Sequence, residues 1–170
     1  MNVDKIPTLR PAFNKDGTVT AATSSSISDG AAALVMMTES EAKKRGAKPL
    51  AKIVAYASNA HEPEWFTTAP VGAIEKVLKK AGWKASDVDL FEVNEAFAVV
   101  AMAAMKDIGI PHDKVNVNGG AVALGHPIGA TGARIITTLN YALKKRGLKK
   151  GVAALCIGGG EGTALALEVL

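Results

Sequence analysis

From Leu50 onward, short apolar runs with strand character alternate with segments of helical spacing, and that alternation limits the fold more than any other feature. Extended character falls at 51–57, 88–93, 114–117, 152–157 and 163–169. Apolar positions at helical spacing run over 71–81, 95–108 and 131–145, with Gly82 and Gly147 as stops. The order is βαβαβαββ. Such an order predicts an α/β fold: a mixed, mainly parallel five-stranded sheet covered by helices, joined by right-handed crossovers. The last two strands, linked by the glycine turn 158–162, are expected to be antiparallel.

The first fifty residues follow another rule. Pro7, Pro11, Gly17 and the run Ser24-Ser25-Ser26 interrupt any long element. A small-residue apolar stretch over 29–37 and a helix over 39–45, ended by Gly46, complete this part. It reads as the tail of something that begins upstream, with the regular domain from residue 50 to 170.

Composition narrows the function. The 170 residues are 48% hydrophobic but only 5% aromatic, so the core has to be built from Ala, Val, Leu and Ile. A net charge of +4 comes from basic runs at 43–45, 79–80 and 144–146, all at expected helix ends, where cations suit the helix dipole. No long basic stripe with interleaved aromatics is present, which argues against nucleic acid as a partner. The longest apolar runs fall well short of the roughly 20 residues a membrane span needs. The segment 1–10 is polar and broken by Pro7, unlike a secretory leader. With one cysteine there is no internal disulfide, which fits a reducing, cytoplasmic setting.

Ligands of open α/β sheets bind beyond the carboxyl ends of the strands. That rule puts three features on one rim: Asn94, the Gly125-His126 loop and the Cys156-to-Gly158 strand end. His126 lies between glycines that allow close backbone approach to a ligand, with Pro127 stiffening the turn. It also reads as a loop histidine satisfied by a backbone carbonyl. Cys156 reads first as a small core residue, although its place at a strand end suits acid–base work if a neighbour tunes its pKa. The N–H groups of Gly158 and Gly159 are candidates to face an oxyanion. Asn94 precedes an expected helix, and spacing favours it as the helix cap over a site residue. His61 and His112, beside prolines, read as structural or exposed.

Other chemistries lose support. The glycine run at 158–162 fails the dinucleotide fingerprint because Thr163 stands at the third glycine's place, and there is no phosphate loop or nucleophile elbow. The histidines lack metal-ligand spacing, so no metal or resident cofactor is expected.

Read together, the three rim segments resemble the thiolase family. Asn94-Glu95-Ala96-Phe97 matches its Asn-Glu-Ala-Phe, residues 116–132 match its Asn-x-Asn-Gly-Gly…Gly-His-Pro loop, and residues 156–160 match its Cys-x-Gly-Gly-Gly. The upstream stretch 18–33 also looks like a thiolase. The resemblance implies acyl transfer between coenzyme A thioesters, which are substrates rather than cofactors. It implies that His126 activates a nucleophilic cysteine and helps form an oxyanion hole in which Asn94 holds a water. Cys156 would move the α-carbon proton, Gly158 would offer an N–H to the acyl-enzyme oxyanion, and Ser25 and Phe97 would contact coenzyme A. The segments around Trp65 and Phe91 look most like the branch that condenses two acetyl-CoA molecules to acetoacetyl-CoA, reversibly. Thr23 and Ser28 stand where the family often has Asn.

The lone cysteine matches the family's second, not its nucleophile. The resemblance therefore implies that residues 1–49 are the end of the loop region and the last segment of an N-terminal thiolase half. Residues 50–170 would be the C-terminal domain. The expected partners are acyl-CoA, an N-terminal half carrying the nucleophile, and further copies in a homo-oligomer. Alone, the chain is expected not to complete a catalytic cycle. The alternative is a non-catalytic module that binds acyl-CoA weakly or pairs with itself.

Overall fold

A computed structural model describes residues 3–170; Met1 and Asn2, the start of the 1–49 segment, lie outside the described residues. The sheet has four strands in the order β1-β4-β3-β2: β1 Ala51–Ala60, β2 Leu90–Val93, β3 Lys150–Ile157 and β4 Glu161–Val169. β2 and β3 are parallel, while β4 runs antiparallel to both β3 and β1. The helices are α1 Glu39–Lys44, α2 Ala69–Ala81, α3 Ala98–Ile108, α4 Ala121–Leu124 and α5 Thr131–Arg146.

The strand period of two sorts the core into two layers. Phe91, Val93, Val152, Ala154, Ala164 and Ala166 point to one face and pack with Ile74 and Val77 of α2 and Val100 of α3. Leu90, Ala153 and Leu167 point to the other and meet Ile135, Leu139 and Leu143 of α5. Each fully buried Leu or Ile here contributes about 1.5–3 kcal/mol of hydrophobic burial. Helices α2 and α5 end at Gly82 and Gly147, and their last turns carry Lys79-Lys80 and Lys144-Lys145-Arg146. Among the described residues no helix is long and apolar enough to cross a membrane.

The fifth strand expected over 114–117 is absent, and an asparagine explains why. Val115 makes one parallel bridge to Phe91, and Asn116 N–H donates to the Phe91 carbonyl at 2.9 Å. Asn116 then turns to φ 49°, which ends any extension. Its side chain takes over the ladder instead. Oδ1 accepts from Val93 N–H and Nδ2 donates to the Val93 carbonyl, both at 2.8 Å. The outer edge of β2 is thus satisfied by one amide rather than by a strand.

The stretch 29–38 has no regular structure and is exposed throughout; Val35 is 90% and Met36 69% accessible. Residues 24–28 do dock, pairing across the loops at the carboxyl ends of the parallel strands.

Candidate active site

Asn94 follows directly on β2, where its N–H donates to the Ala154 carbonyl of β3 at 2.9 Å. It is buried, 3% accessible, and it is not a helix cap as the spacing suggested. α3 begins only at Ala98, with extended Phe97 at the cap position and no side-chain cap bond, so Asn94 is too far ahead to reach the helix's free N–H groups. Its amide faces the site instead. Oδ1 accepts from Arg134 Nη2 at 2.7 Å, and Nδ2 lies 3.4 Å from His126 Nε2. The neighbouring Glu95 accepts from Val122 N–H at 3.2 Å, fixing the first turn of α4.

His126 follows Gly125, whose φ of 92° requires glycine and whose missing Cβ leaves room for the Ser28 hydroxyl. The upstream segment then clamps the histidine backbone. His126 N–H donates to the Ser26 carbonyl at 2.9 Å, and Ser28 N–H donates to the His126 carbonyl at 3.4 Å. The imidazole Nδ1 lies 3.1 Å from Thr131 Oγ1 at the start of α5. Burial, and secondarily the nearby Arg134 charge, hold the imidazolium below its ordinary pKa, so the neutral ring is favoured.

Cys156 lies near the carboxyl end of β3, on the same end of the parallel pair as Asn94. It is half-buried, and burial pushes its thiol pKa up. Among the described residues no hydrogen bond joins it to Asn94 or His126. Gly158 is exposed at the start of the β3–β4 turn. That turn closes with Gly160 at φ 90°, pressed so tightly on the His61 carbonyl and Pro63 that a side chain has no room.

Ser25 donates through both its N–H, at 3.1 Å, and its hydroxyl, at 2.9 Å, to the Ala96 carbonyl. Phe97 pairs with Ser24 in a single bridge and stands edge-on to Phe13 and Phe66, with ring centroids 5.9 and 6.1 Å apart. Ser25 and Phe97 therefore lie at one strand-to-helix junction. His61 Nε2 donates to the Trp65 carbonyl, 2.7 Å away, and His112 is exposed.

Two residues of this network were not singled out from the sequence, Thr131 and Arg134. Both lie in the first turn of α5, three positions apart and so on one face. Glu92 is a third. It lies between Phe91 and Val93 on β2, hence on the α5 side of the sheet, 3% accessible, with one carboxyl oxygen unpartnered. Burial, opposed by Arg134, pushes its carboxyl up to about 7. A surface cleft of about 540 Å³ lies beside Asn116 and His112 and includes none of the expected site residues. Another, of about 300 Å³, is lined by Gly125 and Pro127 of the histidine loop and by Arg134 of α5.

Residues 47–169 match the family described as thiolase, C-terminal domain. The chain belongs to the thiolase family. Residues 1–40 match thiolase, N-terminal domain. Among its relatives are a probable acetyl-CoA acetyltransferase of Dictyostelium discoideum, 58% identical over 98% of this chain and 40% of its own length. The acetyl-CoA acetyltransferase of Rhizobium meliloti is 54% identical over 99% of this chain and 43% of its own length. In solved structures, the Bacillus anthracis acetyl-CoA acetyltransferase superposes with a TM-score of 0.95 at 50% identity, covering 98% of this chain and 42% of that one. Human mitochondrial 3-ketoacyl-CoA thiolase in complex with CoA gives 0.91 at 39% identity, covering all of this chain and 43% of that one. This thiolase chain thus spans about two fifths of the length of the relatives it matches.

Proposed function

We propose that the chain supplies the acid–base and oxyanion side of an acetyl-CoA C-acetyltransferase site, joining two acetyl-CoA molecules into acetoacetyl-CoA and CoA, or the reverse. The observation that carries this reading is the direct approach of Asn94 to His126 at the end of the parallel pair that also carries Cys156. The acetyltransferase names of relatives more than 50% identical support the acetyl substrate.

In this reading a cysteine from an N-terminal thiolase half attacks the thioester carbonyl. Its proton passes to His126 Nε2, a carbon–sulfur bond to the enzyme forms, and CoA leaves as its thiol after taking that proton. Asn94 and His126 hold the developing oxyanion, the first through a water. For condensation, Cys156 as thiolate takes the α-proton of the second acetyl-CoA, and the carbanion displaces the enzyme's cysteine. In the thiolytic direction the same thiol returns a proton to the departing enolate, and its raised pKa suits that acid role. Gly158 N–H stabilises the acyl-enzyme oxyanion, and Ser25 and Phe97 border the pantetheine arm. Ser25 hydroxyl already donates to Ala96, so it is left to accept from the ligand.

The exposed apolar stretch with Val35 and Met36 supports the assignment of residues 1–49 to the end of an N-terminal half, since nothing among the described residues covers it. A homo-oligomer would bury more of this surface. The single cysteine, kept as a thiol, suits the cytoplasm. The test is thiolysis of acetoacetyl-CoA, followed by loss of its enolate absorbance. The chain alone is expected to be inactive, and activity is expected on adding an N-terminal thiolase half. Acetoacetyl-CoA binding with no turnover under both conditions would instead support a non-catalytic binding module.

A further inference from the structure

The side chains of Arg134, Asn94, His126 and Thr131 form a line, and each contact limits the next. A guanidinium has donors only. Because Arg134 Nη2 lies 2.7 Å from the Asn94 side chain, the atom facing it must be the amide oxygen. The Asn94 NH2 group is then turned to His126 Nε2, 3.4 Å away. An NH2 set against a ring N–H would oppose two donors, so Nε2 must offer its lone pair. The ring proton of neutral His126 is left on Nδ1, where Thr131 Oγ1 accepts it at 3.1 Å. Thr131 can pass the chain on, since the carbonyls of Pro127 and Ile128 both lie 3.2 Å from its hydroxyl.

We propose that Arg134 is a positioning residue: by orienting the Asn94 amide it fixes His126 in the Nδ1–H tautomer, with Nε2 open to take a proton. Arg134 is free for this task because no ion pair uses it. The ion pairs among the described residues are Lys43–Glu39 and Arg45–Glu41 on α1. Glu92, the acid buried on the same side of the sheet, attracts Arg134 without pairing with it directly. Arg134 touches no substrate in the proposed reaction. It acts on His126 only through Asn94, and the inference deepens the proposed role of His126 as proton acceptor.

The tautomer is readable without turnover, so failure of the acyl-transfer reading and failure of this one are separate results. The experiment is long-range 1H–15N NMR on the 170-residue chain with 15N-labelled histidine, above the titration range of the rings, with His126 assigned by its loss in His126→Ala. The wild type is expected to show a pyridine-type shift at Nε2 and a pyrrole-type shift at Nδ1. Arg134→Met, which has no donor, is expected to gain the Nε2–H form that free imidazole side chains favour in water. Arg134→Lys, which keeps a donor, is expected to retain the wild-type pattern. An Nε2–H wild type would overturn the proposal whether or not any variant folds. So would an Arg134→Met protein that folds with an unchanged tautomer, since Thr131 alone would then set the ring.

Discussion

The main chain of His126 is paired with that of Ser26, one hundred residues upstream, through an N–H···O bond of 2.9 Å. With the return bond from Ser28 and the single bridge between Ile27 and His126, this makes the histidine the partner of a short strand-like stretch. The site is therefore built from both parts of the chain.

Removing the return bond tests that construction. Ser28→Pro deletes the donor to the His126 carbonyl, and a net hydrogen bond is worth about 1 kcal/mol. Amide hydrogen exchange at His126 should accelerate about fivefold in this variant, while exchange in the core of β3 should not change.

The pH response of His126 has a definite sign. Its folded pKa lies below the ordinary 6.5, so the unfolded chain binds the proton more readily. Its contribution to stability is present above that ordinary value and is lost as pH falls through the folded one. NMR titration of the ring should give a midpoint below the ordinary histidine value of 6.5. Because burial is the larger cause, Arg134→Met should move the midpoint upward only part of the way.

Much of this fold is legible in sequence because its signals are local. The strands beginning at Ala51 and Leu90, and the helix stops at Gly82 and Gly147, come from apolar spacing and glycine placement. The absence of a strand over 114–117 is not legible that way. The alternation there is real, but the positive φ of Asn116 and the use of its amide as a ladder partner are decided by Val93, 23 positions away. The cap expected at Asn94 fails for the same kind of reason: a tight turn, in which Ala96 N–H donates to the Asn94 carbonyl, and extended Phe97 separate it from the helix. Arg134 reads in sequence as one more cation on an amphipathic helix. Only the packing of α5 across the end of β2 brings it to Asn94.

Glu92 responds in the opposite direction to His126. Burial raises its carboxyl to about 7, so the folded state holds that proton more tightly than the unfolded chain. Stability from this group is fully present below the ordinary carboxylate range and is lost as pH rises through about 7. The shift corresponds to about 3 kcal/mol. Glu92→Gln should therefore raise stability by up to about that amount near pH 8 and change it little near pH 4.5. Denaturant melts at the two pH values measure the difference.

Cys156 should be a slow thiol at neutral pH. The thiolate is the reactive form, and burial keeps the group protonated beyond the ordinary cysteine range. Alkylation by iodoacetamide should accelerate only at a pH above that at which a free cysteine peptide reacts. Rapid labelling at pH 7 would mean that an unrecognised group stabilises the thiolate.

In the proposed reaction His126 and Cys156 do separate jobs in acyl transfer, neither of them as the acylated nucleophile. The most direct measurement is the rate of acetoacetyl-CoA thiolysis by this chain combined with an N-terminal thiolase half, compared among wild type, His126→Ala and Cys156→Ala. Turnover is expected only in the combined sample, with each variant reducing kcat by about 100-fold or more, as loss of a general acid or base does. Turnover by the chain alone that disappears in Cys156→Ala would contradict these roles, because the lone thiol would then be the nucleophile.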